Sequence, residues 1–240
     1  MARKADPSNT SALVPSQRLR VAYLLTLVGG FLDAYTYSER GGVFANAQTG
    51  NIVKLGIALA SKARDQYLEY LFPILAFVAG LLFSLCITDL LERRNIRLVR
   101  RSVLAAEMMV LTIVALIPRG ETTNMAANCL VSFVAAMQYE AFGSFKGEII
   151  TTTMTTGNLR KFVDNFYMSV TRGDVERRSS AIIFLTIVCT FAFGAYLGTR
   201  ACEHMDRAAL VPAILCLGVV IVIITILRRR NLQREQASTS

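Results

Sequence analysis

The tripeptide Thr-Gly-Asn occurs twice in the chain, each time inside a mostly apolar stretch. The first copy occupies residues 49–51 and the second residues 156–158, and an acidic residue, Asp33 or Glu140, precedes each copy by sixteen positions. A shift of 107 residues superimposes the copies and gives five identities over the window 33–54. Two units that each carry a polar motif inside apolar sequence are a common plan for membrane transporters.

Composition favours the bilayer over water as the surroundings of this chain. Apolar residues make up 53% of the 240 residues, whereas soluble domains average about 45–50%. There is no Trp, so an interfacial aromatic belt must come from Tyr and Phe. The net charge of +9 resides largely in short Arg-bearing segments beside apolar runs, which suits membrane topology better than nucleic-acid binding.

The sequence offers little support for an enzyme, a metal site or a cofactor. The five cysteines are scattered without a Cys-x-x-Cys pair, which favours neither a disulfide framework nor a zinc site. The single histidine, His204, lies in a short polar segment, and no phosphate-binding loop or hydrolase motif occurs. We therefore predict no enzymatic activity, no metal, no cofactor and no nucleic-acid partner.

Six apolar stretches are long enough to cross about 30 Å of hydrocarbon, which predicts an all-α polytopic membrane protein. They cover residues 21–38, 70–91, 103–118, 125–145, 181–199 and 209–227. The segments that follow the two motifs are shorter or more polar. Residues 52–60 would make only ~13 Å of helix, and the second segment is interrupted by charges but has apolar residues at the spacing of a one-faced helix. We predict that both are re-entrant or broken helices.

Charge placement predicts the orientation. The basic clusters of the N-terminal lead, of residues 92–101 and of the C-terminal end all fall on the cytoplasmic side if the motif segments are re-entrant. With three spans in each unit, the two units must then have inverted topology. The expected organisation is a disordered cytoplasmic lead (1–20), one transmembrane domain (21–228, with repeats of about 21–118 and 124–227) and a cytoplasmic tail (229–240), in an inner or plasma membrane.

The segments 30–34 (Gly-Phe-Leu-Asp-Ala) and 43–51 (Val-Phe-Ala-Asn-Ala-Gln-Thr-Gly-Asn) resemble the YoaK-like family of membrane proteins. That family carries Gly-x-x-Asp-Ala followed by an aromatic–small–Asn–x–x–Thr-Gly-Asn element. In the second half, Met137-Gln138 and the threonine-rich stretch 151–157 match its Met-Gln element and its lead into Thr-Gly. Tyr139-Glu140 departs from the Asn-Ala usual there. The resemblance implies an integral membrane protein of about six spans and supplies no substrate.

A polar site is predicted where the acids and the motifs meet. A carboxylate inside a membrane helix costs at least ~2.5–3.5 kcal/mol, so Asp33 should face a cavity or a partner. Thr or Asn of each motif is expected to cap a helix start, and Gly to permit close approach. The candidate substrate-binding residues are Asp33, Asn46, Thr49, Gly50, Asn51, Gln138, Glu140, Thr156, Gly157 and Asn158; the candidate charge partners are Lys54 and Lys161. Glu107 is expected near the interface, paired with an Arg of residues 92–101.

Two functions remain open at this point. The first is a small-solute transporter or channel, with protons as a second candidate ligand, whose polar path runs between the two motif segments. The second is a non-transporting membrane protein, such as a sensor, assembly factor or partner subunit, whose intramembrane charges form structural salt bridges. Lipid is the expected surrounding, and the sequence leaves a homodimer open.

Overall fold

The computed structural model describes residues 15–61, 66–92, 96–142 and 155–239, and the regular secondary structure within them is all helical. The helices are α1 (Pro15–Glu39), α2 (Gln48–Ala60), α3 (Tyr67–Glu92), α4 (Ile96–Leu116), α5 (Glu121–Phe142), α6 (Thr156–Arg172), α7 (Val175–Met205) and α8 (Val211–Thr239). The 3-10 turn Asp206–Ala208 lies between α7 and α8. No strand occurs in these ranges, as the sequence predicts.

The six long apolar stretches lie on α1, α3, α4, α5, α7 and α8, and the two motifs begin α2 and α6. Helix bounds differ from the prediction at both ends of the chain. α1 already begins at Pro15, a residue type suited to the first helical position, so residues 15–20 are helical rather than part of an irregular lead. α8 continues through the predicted tail to Thr239. Residues 1–14, Arg93, Arg94 and the threonine-rich stretch 151–154 lie outside the described residues.

The packing of the two halves follows one pattern. The 107-residue shift relates α1 to α5, α2 to α6, α3 to α7 and α4 to α8. The most extensive contact joins α1 to α7, and the next joins α5 to α3. Likewise α2 packs on α3 as α6 packs on α7, and α4 packs on α5 as α8 packs on α1. Exchanging the halves therefore exchanges these pairs of helices, with the first helix of each half packed on the third helix of the other.

Glycines allow α1 and α7 to approach closely. A Cβ on Gly194 would lie 2.1 Å from the carbonyl oxygen of Leu27, and one on Gly198 would lie 2.6 Å from that of Phe31. The two contacts advance together along both helices, so α1 and α7 are parallel. Small residues that bring backbones into contact are characteristic of helix packing in membranes.

Two ends of the molecule can be defined by side-chain contacts. At the Arg40 end, Arg40 after α1 binds backbone carbonyls of Val114 and Pro118, so α1 ends where α4 ends and α5 begins. At the opposite, Arg100 end, Arg100 near the start of α4 donates to the carbonyl of Ala141 near the end of α5. It follows that α1 and α5, the equivalent first helices of the two halves, run in opposite directions.

The motif helices also run in opposite directions. Asn46, just before α2, contacts Asp33, whereas Lys54 farther along α2 contacts Gly42 near the end of α1. α2 therefore runs toward the Arg40 end. In α6, Asn165 bonds Arg177 in the first turn of α7, at the start of a helix that runs parallel to α1. α6 accordingly runs toward the Arg100 end.

α2 and α6 are amphipathic, but they bury polar side chains and expose apolar ones, the opposite of a helix on a soluble protein. α2 buries Gln48, Asn51 and Ala58, and α6 buries Asn158 and Asn165. Their large apolar side chains point away from the protein and are about half exposed or more; these are Ile52, Val53, Ile57, Leu59, Leu159, Val163, Phe166, Tyr167 and Val170. The sequence correctly predicts α6 as a helix with an apolar face, but that face is turned outward.

Further apolar surface covers the long helices. Within the described residues, two helical stretches, Tyr67–Leu90 and Val175–Ala208, have the length and apolar character needed to cross a bilayer, and Val211–Leu227 is a shorter apolar stretch. α8 exposes Leu215, Val219, Val222 and Ile226 along one side. Apolar surface this extensive exceeds what a soluble monomer ordinarily presents to water and is compatible with a membrane protein.

Candidate functional site

Asp33 is buried in α1 and is held by the segment that leads into α2. Its side chain is 5% exposed, and Oδ1 accepts a hydrogen bond of 2.6 Å from the backbone nitrogen of Asn46. The Asn46 side chain turns back to donate to the carbonyl of Gly29 at 3.0 Å, while its own Oδ1 is buried without a hydrogen-bond partner in the described residues. The carboxylate and this acceptor oxygen belong to one buried polar site, which we call the Asp33 site (Asp33, Asn46, Gln48 and Asn51).

Asn51 and Gln48 organise the segment around that site. Asn51 is fully buried; its Oδ1 accepts from the Phe44 amide at 2.9 Å, and its Nδ2 donates to the Phe44 carbonyl at 2.7 Å. Nδ2 also donates to Gln48 Oε1 at 3.0 Å, and Gln48 Nε2 donates to the carbonyl of Ala45 at 3.0 Å. Backbone polar groups of Phe44 and Ala45, in the irregular segment before α2, are thus satisfied by side chains of the first turn.

Gly50 is required by the packing of the same turn. A Cβ at this position would lie 2.8 Å from the ring of Phe44, which stacks on Tyr37 with ring centroids 4.9 Å apart. The prediction that Gly permits close approach therefore applies to the first motif. Capping by the motif side chains was wrong for both copies: the residues before α2 and α6 are Ala47 and Thr155, and neither start has a side-chain capping hydrogen bond. Thr49 is exposed.

Lys54 lies in an aromatic setting. Its ammonium donates to the carbonyl of Gly42 and lies 4.3 Å from the centroid of the Tyr37 ring, with Phe44 at 5.3 Å and Tyr70 at 5.8 Å. These contacts, rather than a salt bridge to Asp33, account for its position, and cation–π attraction contributes to holding the charge. Lys161, the matching residue of α6, lies 5.1 Å from the centroid of the Phe184 ring.

The second motif differs from the first in its surroundings. Asn158 is 1% exposed, as is expected of the equivalent of Asn51, but Thr156 is exposed and a Cβ on Gly157 would meet no atom within 4 Å. Glu140, the acid that matches Asp33 in the sequence, is also exposed. The structure thus brings Asp33, Asn46, Gly50 and Asn51 together and leaves Glu140, Thr156 and Gly157 at the surface.

Glu107 is a buried acid for which the sequence predicted a different location. It is fully buried in α4 and faces Gln138 of α5. The predicted Arg partner falls partly on Arg93, Arg94 and Arg97, whose side chains lie outside the described residues. With the Gln138 amide oriented so that its nitrogen faces the carboxyl group, Nε2 lies 2.9 Å from Oε1 and 2.7 Å from Oε2. Gln138, predicted to contact a solute beside the motifs, instead contacts this carboxyl group.

Arg40 is a second buried charge that the sequence did not single out. Its guanidinium donates to the carbonyls of Val114 (2.9 Å), Ile117 (3.0 Å) and Pro118 (3.2 Å) and to the hydroxyl of Tyr35 (3.0 Å). Carbonyls at a helix C-terminus lack partners within the helix, and the helix dipole favours a cation there. Arg40 therefore caps α4 from the end of α1.

Comparison with known protein families gives one assignment. The family model described as "Protein of unknown function (DUF1275)" matches residues 21–223. The chain belongs to the DUF1275 family. The match spans both motifs and all eight helices in whole or in part, so the two halves occur together in this family model. Its description does not include the name YoaK-like, which stays a prediction from the motifs. No curated protein and no solved structure matches the chain.

Proposed function

We propose that this DUF1275 protein is an integral membrane protein with six spanning helices and two shorter helices that carry the motifs. The reversed amphipathicity of α2 and α6 supports this, because an outward apolar face next to an inward amide face is stable only in apolar surroundings. α2, with 13 residues, extends only ~20 Å, less than the ~30 Å of hydrocarbon. α6 extends ~26 Å but carries outward-facing Arg160 and Asp164.

We infer further that the two halves are inverted-topology repeats. The opposite directions of α1 and α5, and of α2 and α6, support this arrangement, as does the exchange of equivalent contacts between the halves. In such a fold one short helix enters the membrane from each side, and a binding site forms where the halves meet.

The charges at the two ends support an orientation in which both termini lie in the cytoplasm. The proposed membrane is an inner or plasma membrane. The Arg100 end carries basic side chains in excess; Arg100, Arg101, Arg172, Arg177 and Arg178 lie there. At the Arg40 end the cations are balanced: Arg119 pairs with Glu39 at 2.7 Å and with Asp206 at 2.6 Å. An excess of Arg marks the cytoplasmic side.

The function that the geometry supports best is transport of a small polar solute, as a carrier or a channel, through the Asp33 site. The single observation that carries this proposal is the burial of the Asp33 carboxylate beside the start of α2, a helix too short to cross the hydrocarbon. Such a break places backbone polar groups and a charge at membrane depth, which transporters use to bind solutes. The unpaired oxygen of Asn46 supplies a further acceptor for a ligand with hydrogen-bond donors.

The test is solute flux into proteoliposomes that contain the purified protein, with organic anions, amino acids, amines and metal cations offered in turn, with and without a pH gradient. Asp33→Asn removes the buried charge while keeping the shape of the side chain, and we expect it to abolish flux. Glu140→Gln is the matched control, because Glu140 is exposed and should tolerate loss of its charge. Equal flux in Asp33→Asn and the unmodified protein would refute the site.

A non-transporting role, as a sensor, assembly factor or partner subunit, is favoured by one specific feature. Asp33 is bonded to the protein's own segment 45–47 rather than left facing open space. In that case the carboxylate serves to fix the segment 45–47. Asp33→Asn would lower the temperature of unfolding in detergent, and neither this variant nor the unmodified protein would show solute flux. Flux measurement and unfolding of the same variant therefore separate the two functions.

A further inference from the structure

The core between α4 and α5 contains a carboxyl group that the proposed solute path does not use. Glu107 is fully buried, and so are Leu104 and Leu111, one turn to either side on the same face of α4. Gln138 of α5, itself 1% exposed, packs its amide group against the two carboxyl oxygens, at 2.9 and 2.7 Å from Nε2 when the amide is oriented with its nitrogen toward the acid. A neutral amide is therefore the polar group that meets the acid.

Charged groups on the elements packed around α4 are directed elsewhere. On α4 itself, Arg100 lies two turns before Glu107 and donates to the carbonyl of Ala141. Arg40, after α1, binds carbonyls two turns beyond Glu107, at the end of α4. Among the described residues, no cation forms a salt bridge with Glu107.

The remaining neighbours supply no compensating charge. Asp89 of α3 and Glu140 of α5 are exposed, and Asp206, in the turn before α8, pairs with Arg119. Between Val211 and Leu227, α8 carries a single titratable side chain, Cys216, whose thiol approaches the carbonyl of Leu24 at 3.9 Å. An ionised carboxylate at this position would lose its hydration in exchange for one amide donor, which is insufficient compensation for a buried charge.

We propose that Glu107 and Gln138 form a proton-binding site inside the α4–α5 pair, at which Glu107 takes a proton from water and is held as the neutral acid. Gln138 is the positioning residue, since its amide orients the acid group against the apolar core. The site stands on the packing of α4 and α5 and does not depend on the proposed solute path. A proton can leave it only when the core admits water.

The test is infrared spectroscopy of the full-length purified protein in liposomes at neutral pH, which detects the carbonyl stretch of a carboxylic acid separately from ionised carboxylates. We expect an acid band that is lost in Glu107→Gln and kept in Glu140→Gln. We also expect that band to shift slowly in heavy water, because a buried proton exchanges only when the core opens. An acid band unchanged by Glu107→Gln, or absent from the unmodified protein, would mean that Glu107 is ionised, and would overturn the proposal.

Gln138→Leu keeps the carboxyl group and removes the amide that contacts it, so it tests the site even if Glu107→Gln fails to fold. We expect the acid band to remain and to move to higher frequency, as a carbonyl does when it loses a hydrogen bond. An unmoved band would contradict the pairing. Because the spectra require no transported solute, failure here would leave the transport proposal intact, and failure of the flux experiment would leave this site intact.

Discussion

The side-chain amide of Asn51 bonds both backbone polar groups of Phe44, accepting from the nitrogen at 2.9 Å and donating to the carbonyl at 2.7 Å. The two bonds satisfy both backbone polar groups of a residue that lies outside any helix. Phe44 lies seven residues before Asn51. The two bonds hold the segment in which Asn46 donates to Asp33. The first motif, which the sequence suggests as a solute site, therefore also has a structural role: it holds the segment that precedes α2.

Asn51→Ala should lower the free energy of unfolding by about 2 kcal/mol, because two partly buried backbone groups of Phe44 lose their partners. Thermal unfolding in detergent, followed by circular dichroism, measures the loss. Thr49→Ala, in the same turn but exposed, should change stability by no more than about 0.5 kcal/mol. Similar losses in both variants would contradict the role given to Asn51.

The two motif glycines should respond in opposite ways to alanine. Gly50→Ala forces the Phe44 ring away from a Cβ placed 2.8 Å from it, at a cost of about 1–3 kcal/mol. Gly157→Ala meets no atom within 4 Å and should be neutral or stabilise α6 by up to ~1 kcal/mol, since Ala is the better helix former. Equal destabilisation by both changes in an unfolding experiment would refute the asymmetry.

Gly194→Ala should prevent the native contact between α1 and α7. A Cβ there would lie 2.1 Å from the Leu27 carbonyl oxygen, and a backbone atom of a packed helix cannot yield as a flexible side chain does. We expect a loss of more than ~3 kcal/mol, or no folded protein at all. Gly56→Ala in α2, with open space around it, is the control and should yield normal amounts of monodisperse protein in size-exclusion chromatography.

Arg40→Lys should destabilise the protein by several kcal/mol (~3) although the charge is kept, because a lysine cannot reproduce the planar fork that binds three carbonyls. Chemical unfolding in detergent measures the difference. Arg172→Lys, at an exposed position in the last turn of α6, should be neutral by comparison. Full stability of Arg40→Lys would show that positive charge alone suffices at the end of α4.

The outward faces of α2 and α6 should be in contact with lipid. With the native cysteines replaced, Ile57→Cys and Val170→Cys should resist a charged maleimide in liposomes, because a thiol surrounded by lipid does not form the reactive thiolate, and should react once the protein is unfolded in detergent. Glu140→Cys, where the native side chain is exposed at the end of α5, should react with the charged reagent once the liposomes are made leaky. Ready labelling of residue 57 by the charged reagent would remove the main support for a bilayer around α2.

The helical class, the six long helices and the start of α2 and α6 at the motifs could be predicted from the sequence because apolar run length and periodicity determine them directly. Burial of individual side chains could not, since it depends on how each helix is rotated and where it begins. α4 begins at Ile96, seven residues before the predicted span, so Glu107 lies three turns into the helix instead of near its start. Apolar residues at 104, 111 and 114 share its helix face and are buried. That helical spacing in the sequence was the available signal that Glu107 is buried as well.

Glu140 illustrates the opposite error. Its spacing to the second motif equals that of Asp33 to the first, yet the two residues before it, Gln138 and Tyr139, face the protein while Glu140 faces outward. Equal spacing along the chain does not guarantee an equal rotation of α5 and α1 about their axes. The sequence likewise could not predict that the apolar face of α6 points outward. An amphipathic helix can pack its apolar face on the protein core or turn it toward lipid.

The contacts of Arg40 have a mechanical consequence. They tie the end of α1 to the end of α4 and to the turn before α5, while Arg119 joins the same region to Glu39 and Asp206. Parting these helices at the Arg40 end would expose an uncompensated guanidinium and several carbonyls at once. The ends of α1 and α4 and the start of α5 are therefore expected to move as one rigid unit.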